Sequence, residues 1–183
     1  MMPKIIESDL FRYIGAINNK AFRKALKIPG FKCTYALKKI QNSKRIGFYD
    51  IYYRIKYLKY LHEYRFQIPN YALTGKDFYI SHFGNIVING KAKIGKWCNV
   101  SQGVTIAETN RGVKKGAPII CDKVWIGPNS VIVGKVVIGS NVLIAPLTYV
   151  NIDIPDNSIV MGNPCKIVTK LNAIENYINN ILN

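Results

Sequence analysis

The chain has 183 residues, 49% of them hydrophobic and 20% charged, which is enough for one core with a small appendage and too apolar for disorder. Lys+Arg outnumber Asp+Glu by 26 to 10, no apolar run approaches the roughly 20 residues of a membrane span, and acid at Glu7 comes too early for a signal peptide. Cys33, Cys98, Cys121 and Cys165 lie far apart, against a disulfide framework or a zinc site and in keeping with a reducing cytoplasm, and two histidines, His62 and His82, exclude a three-histidine metal centre.

Residues 1–65 hold 15 Lys+Arg against Glu7, Asp9, Asp50 and Glu63. The sequence predicts a small basic helical subdomain there. Ser8 or Asp9 is expected to cap a helix running through Phe11 and Ile14, Pro29-Gly30 interrupts, and a further helix is expected from Phe31 to Gln41. In residues 47–64, Ile51, Ile55, Leu58 and Leu61 recur at helical spacing, with Arg54, Lys56 and Lys59 elsewhere on the surface. A basic, tyrosine-rich surface fits a generic solvated face, an anionic membrane or lipid-linked substrate, or nucleic acid. No nucleic-acid motif accompanies it, and docking near an anionic membrane or a lipid-linked glycan is the expectation.

From residue 66 to 168 the period is six. Ile88, Ile94, Val100 and Ile106 are in phase, and after a break Ile120, Ile126, Ile132, Ile138, Ile144 and Val150 resume it. Gly follows at 95, 127 and 139 and Ala at 107 and 145, and four residues after most of the aliphatics stands a small or β-branched residue such as Cys98, Ser130 or Thr148. Six fits neither a helix nor long strands; it fits a solenoid of short strands, three hexapeptides to a triangular coil, with each glycine relaxing a corner. Residues 107–118 break the phase and are expected to bulge as a loop. Beyond residue 168, Leu171, Ile174, Tyr177 or Ile178, and Ile181 have helical spacing, and 169–183 is expected to be a short helix capping the open end.

The stretches Ile80-Ser81-His82-Phe83-Gly84-Asn85, Ser101-Gln102-Gly103-Val104-Thr105-Ile106, Val124-Trp125-Ile126-Gly127-Pro128-Asn129 and Gly162-Asn163-Pro164-Cys165-Lys166 resemble the hexapeptide-repeat acyltransferases. The resemblance is to their serine acetyltransferase-like branch, most of all its capsular and lipopolysaccharide O-acetyltransferases. It implies a mainly β protein, a left-handed parallel β-helix, that moves acetyl from acetyl-CoA to a hydroxyl without a metal. It implies a homotrimer with each site between two solenoids. His82 falls on the family's general base, since a hydroxyl at neutral pH needs its proton taken as it attacks a thioester. Backbone N–H groups at coil corners are expected to hold the oxyanion.

The family's orienting aspartate, fifteen residues earlier, is Gln67, so either Gln67 orients the imidazole without charge or another acid such as Asp77 does. Ser81 and Asn85 flank the histidine on the acceptor side. Thr109, Arg111, Gly127, Pro128, Ala145, Pro146 and Lys166 align with positions near CoA, and Lys114 and Lys115 add cations. His62 reads as structural. Where the family carries an Arg-His pair for its amino acid, the loop has Gly116-Ala117. A carbohydrate acceptor in bacterial surface polysaccharide synthesis is therefore expected first, with serine O-acetylation and a non-catalytic scaffold as alternatives.

Overall fold

Ten in-phase aliphatic side chains must leave water together, and in the computed structural model they do. Ile88, Ile94, Val100, Ile106, Ile120, Ile126, Ile132, Ile138, Ile144 and Val150 are all buried, none more than 5% exposed. The structure describes residues 4–43 and 47–182, without the side chains of residues 4 and 5. The expected subdomain's residues 1–3 and 44–46, Lys44 and Arg45 among them, lie outside the described residues, as does residue 183.

The coils have three parallel faces. The first stacks β1 (Phe66–Gln67), β4 (Ile86–Ile88), β7 (Thr105–Ala107), β10 (Val131–Val133) and β13 (Tyr149–Val150). The second stacks β2 (Leu73–Thr74), β5 (Lys93–Ile94), β8 (Ile119–Ile120) and β11 (Val137–Ile138), extended by a bridge from Ile138 to Ile154. The third stacks β3 (Tyr79–Ile80), β6 (Asn99–Val100), β9 (Val124–Ile126), β12 (Val142–Ile144) and β14 (Ser158–Met161), with antiparallel β15 (Lys166–Thr169) on its edge.

Register locates two irregularities. Val87 faces Thr105 and Val131 faces Tyr149, a spacing of 18 residues, whereas Ile80 faces Val100, a spacing of 20. The two extra residues fall in the corner between β3 and β4, which carries His82. Ile94 faces Ile120, a spacing of 26, and the surplus is the segment between β7 and β8, where Thr109 and Gly116 exchange backbone bonds of 3.0 and 2.9 Å.

The corner glycines do not relax the backbone as expected. A Cβ on Gly75 would stand 2.5 Å from the Gly95 carbonyl carbon, and one on Gly95 2.6 Å from that of Cys121. The left-handed position comes two residues later, at Asp77, Trp97, Asn129 and Asn141, and even at Leu147 (φ 60°). The glycines are there because successive coils touch.

Four helices precede the coils. The first, α1 (Lys4–Ile14), starts before Ser8 and Asp9, which are buried within it and do not cap it. Next, α2 (Asn19–Ala25) is capped by Asn18, whose side chain accepts from the Ala21 N–H at 2.8 Å. It is followed by α3 (Pro29–Gln41), with Pro at its first position, where no N–H is needed, and then by α4 (Phe48–Tyr64). Cys33, Leu37, Tyr57 and Tyr64 share one core with the lower coils.

Between α1, α3 and the corner before β3 lies a buried polar cluster. Asp77 accepts from Ser8, its N–H donates to Asp9 at 3.0 Å, and Lys38 donates to the carbonyls of Thr74 and Gly75 at 3.0 and 2.9 Å. Burial pushes the Asp9 carboxyl up to about 7, against the attraction of Lys38 and aided by Asp77. An acid whose pKa is higher in the folded state than unfolded stabilises most at low pH, and that contribution disappears as pH rises from about 3.8 to about 7. Denaturant titrations across this window are expected to show a shallower fall of stability with pH in Asp9→Asn than in the natural chain. Parallel curves would assign the slope to other groups.

The expected C-terminal helix is absent among the described residues. Residues 171–177 run as successive turns, with Asn176 and Asn180 left-handed. The segment crosses the third face as a strap: the Tyr177 ring meets Trp125 edge-on at 4.8 Å, Asn99 donates to the Tyr177 carbonyl at 3.1 Å, and Arg12 of α1 donates to the Asn179 carbonyl.

Candidate active site

His82 stands exposed in the lengthened corner between the third and first faces. Three contacts fix that corner. The Ser81 N–H donates to Val100 at 3.0 Å, the Gly84 N–H donates to the carbonyl of Tyr64 at the end of α4 at 3.0 Å, and the Gly84 carbonyl accepts from Gly103 at 2.9 Å. Phe83 leans on the Tyr64 ring, centroids 6.2 Å apart, and the Tyr64 hydroxyl accepts from Lys32 of α3 at 2.8 Å. The helical segment thus holds the histidine corner from below.

The same edge of the prism carries Gly127-Pro128, Ala145-Pro146 and Gly162 in successive coils. Asn129 donates to Gln102 at 3.0 Å, Leu147 to Pro128 at 2.9 Å, and Tyr149 to Gly162 at 3.2 Å. Gly127 permits this stacking, since a Cβ on it would stand 2.7 Å from the Pro146 nitrogen. His82, Ser81, Asn85, Gly127, Pro128, Ala145 and Pro146 therefore form one column. The N–H groups of Gly103, Asn129 and Leu147 are committed to that ladder, so oxyanion donors must come from elsewhere in the corner.

Thr109, Arg111, Lys114 and Lys115 lie on a different edge, in the loop between the first and second faces. Lys114 is paired with Asp153 at 2.8 Å, which removes it as a free cation, whereas Arg111 is exposed. Lys166 is exposed on β15, opposite Met161.

Gln67 is exposed on β1, opposite Val87. It lines a groove of about 950 Å³ with Asn85, His62, Glu63 and Arg65, between the end of α4 and the first face. His62, which sequence alone assigns to scaffolding, therefore shares a groove with two candidate site residues. The structure gives no hydrogen bond between Gln67 and His82 among the described residues. Asp77 is not the orienting acid. It is buried at another corner, bound to Ser8 and Asp9. Tyr64, Phe83 and Lys32 were missed because their part depends on α4 docking under the corner, which no local pattern encodes.

Comparison with known proteins follows the same lines. The profile of Bacterial transferase hexapeptide (six repeats) matches residues 117–151. A serine acetyltransferase of Synechococcus elongatus is 31% identical over 97 residues, 53% of this chain and 40% of that one. Serine acetyltransferase of Neisseria gonorrhoeae, solved in complex with serine, superposes with a TM-score of 0.71 at 24% identity, covering 91% of this chain and 68% of the other. The Brucella abortus enzyme, solved in complex with coenzyme A, gives 0.73 at 19%, covering 91% and 67%. This chain spans less than half the length of that Synechococcus relative. The fold is the left-handed parallel β-helix of the hexapeptide-repeat transferases. The expected carbohydrate acceptor does not stand: the curated relatives include serine acetyltransferases of Synechococcus elongatus, Bacillus pumilus and Bacillus subtilis, at 31–32% identity over about half of this chain.

Proposed function

We propose that this chain, a hexapeptide-repeat transferase by its repeat and fold, is an acetyl-CoA-dependent O-acetyltransferase whose acceptor is the hydroxyl of serine. The observation that carries the reading is the column joining the His82 corner to Gly127-Pro128 and Ala145-Pro146, in a fold shared with enzymes solved with serine and with coenzyme A. His82 takes the hydroxyl proton as the oxygen attacks the thioester carbonyl; the tetrahedral adduct collapses, the carbon–sulfur bond breaks, and the imidazolium returns the proton to the leaving thiolate. Gln67, on the first face beside Asn85, is the group we assign to orienting the imidazole through its amide oxygen once acceptor is bound.

In one chain the His82 column and the Arg111 loop stand on edges separated by the first face. The reading therefore assembles the site between copies in a threefold trimer, with the loop of one copy facing the column of the next. Residues 66–168 then form the transferase proper, and 1–65 the segment that braces its histidine corner.

The test is direct. Thiol release from acetyl-CoA is expected to depend on L-serine and to be absent with glycine, which lacks the hydroxyl. Sedimentation of the active species is expected to give three copies. Release indifferent to serine would overturn the acceptor, and a monomer with full turnover would overturn the shared site.

A further inference from the structure

The fourth helix is apolar on both sides, and only one side is used. Tyr57 and Tyr64 face the core, 2% and 8% exposed. Three of the four aliphatic positions that sequence periodicity singles out face the other way, Ile51 at 48% exposed, Ile55 at 63% and Leu58 at 65%, with Phe48 at 95% and Tyr52 at 50% beside them, while Leu61 packs against the core. Their spacing of three or four residues makes them one stripe along the helix.

Beside the stripe, sharing Tyr52 with it, is a pocket of about 210 Å³ between α2, α3 and α4, lined by Leu26, Lys32, Tyr35, Lys56 and Tyr60 among others. Lys56 lies over the Tyr52 ring at 5.2 Å and Lys32 over the Tyr60 ring at 5.9 Å, so aromatic faces fix two ammonium groups at its walls. Lys59 stands exposed on the same helix, and Lys20, Arg23, Lys24 and Lys27 are exposed on and just after α2.

Little neutralises them. Of the four acids in residues 1–65, Asp9 and Asp50 are buried, and Asp50 is already paired with Arg54.

We infer that this face docks on an anionic phospholipid bilayer. Phe48, Ile51, Ile55 and Leu58 enter the acyl boundary, and a lipid phosphate sits between Lys32 and Lys56. The charge decides against a second copy of the chain, because two such faces would oppose Lys32, Lys56 and Lys59 to their own copies with Glu63 the one exposed acid of α4 to offset them. The aliphatic stripe decides against nucleic acid, which offers Ile55 and Leu58 nothing to bury them. The face adjoins the proposed site, since Leu58 also lines the groove of Gln67 and His62, but docking there involves no step of acetyl transfer.

Vesicle flotation of the full chain tests it, with vesicles of phosphatidylcholine alone or with about one third phosphatidylglycerol. Recovery is expected with the anionic vesicles only, falling steeply as salt rises. Ile55→Glu should abolish recovery, and Lys56→Gln with Lys59→Gln should weaken it on the order of tenfold or more. Circular dichroism and serine-dependent turnover in solution should be unchanged in all three, because none of these side chains belongs to the core or the proposed site. Equal recovery on neutral vesicles, or none on either, overturns the inference. So does a concentration-dependent mass change that Ile55→Glu removes without vesicle binding, which would assign the face to a second copy, or retention by RNA in place of vesicles.

Discussion

His82→Ala is expected to lower turnover by about 10²–10⁴, the usual worth of a general base, while acetyl-CoA still binds. The corner is held by backbone bonds from Ser81 and Gly84 and by the Phe83–Tyr64 contact, so removing the imidazole leaves its frame in place. Isothermal titration of the donor and steady-state kinetics with serine separate the two effects. His62 lines the groove with Gln67 and Asn85, so His62→Ala is expected to raise KM with kcat within a few-fold. A general base acts only in its unprotonated form, so the pH–rate profile is expected to carry an acid limb. If Gln67 reaches that imidazole, the carboxylate of Gln67→Glu stabilises the imidazolium and moves the acid limb upward. An unmoved limb ends only the orienting role of Gln67, whereas near-normal turnover in His82→Ala ends the mechanism.

Most of the coil was legible because a six-residue period is a direct image of the fold. Each coil repeats the same inward position, so ten aliphatics report one geometry. The loop showed as a phase break for the same reason. What failed was local pattern without its tertiary setting. The stripe of Ile51, Ile55 and Leu58 marks a helix but not the side it turns to the core, and tyrosines took that place. The spacing of Leu171, Ile174 and Tyr177 resembles a helix, but asparagines at 172, 176, 179 and 180 favour turns and left-handed backbone, and Trp125, Asn99 and Arg12 supply the partners a helix would otherwise find in itself. The site was half legible. His82 and its column follow from motif and repeat. The bracing by Tyr64 and Lys32, and the burial of Asp77 against α1, arise from how the helices pack, and those contacts span dozens of residues in sequence.

Gly95→Ala is expected to destabilise the chain by about 1–3 kcal/mol or more, although alanine is among the mildest substitutions for a glycine. Gly95 has no left-handed backbone to protect, so conformational freedom predicts little cost and even a small gain from a stiffer unfolded chain. The contact between coils predicts the opposite. Its new methyl would stand 2.6 Å from both the carbonyl carbon and oxygen of Cys121 and 2.5 Å from the Asp122 carboxylate oxygen. The carboxylate can swing aside, at the loss of its 2.8 Å bond from the Lys96 N–H. The backbone cannot, because the Gly95 N–H is bonded to the Ile120 carbonyl and the Cys121 N–H to that of Ile138, each within 2.9 Å. Relief requires opening the stack between the second and third coils, and each coil buries much of its surface against its neighbours. Gly47→Ala, with no atom of the described residues within 4 Å of the added methyl and only the weaker capping of α4 by alanine to lose, serves as the control. Urea titrations of both should give a lowered midpoint at unchanged slope for Gly95→Ala and a smaller shift for Gly47→Ala. Equal midpoints for the two would return the corner glycines to the conformational role that the repeat alone suggests.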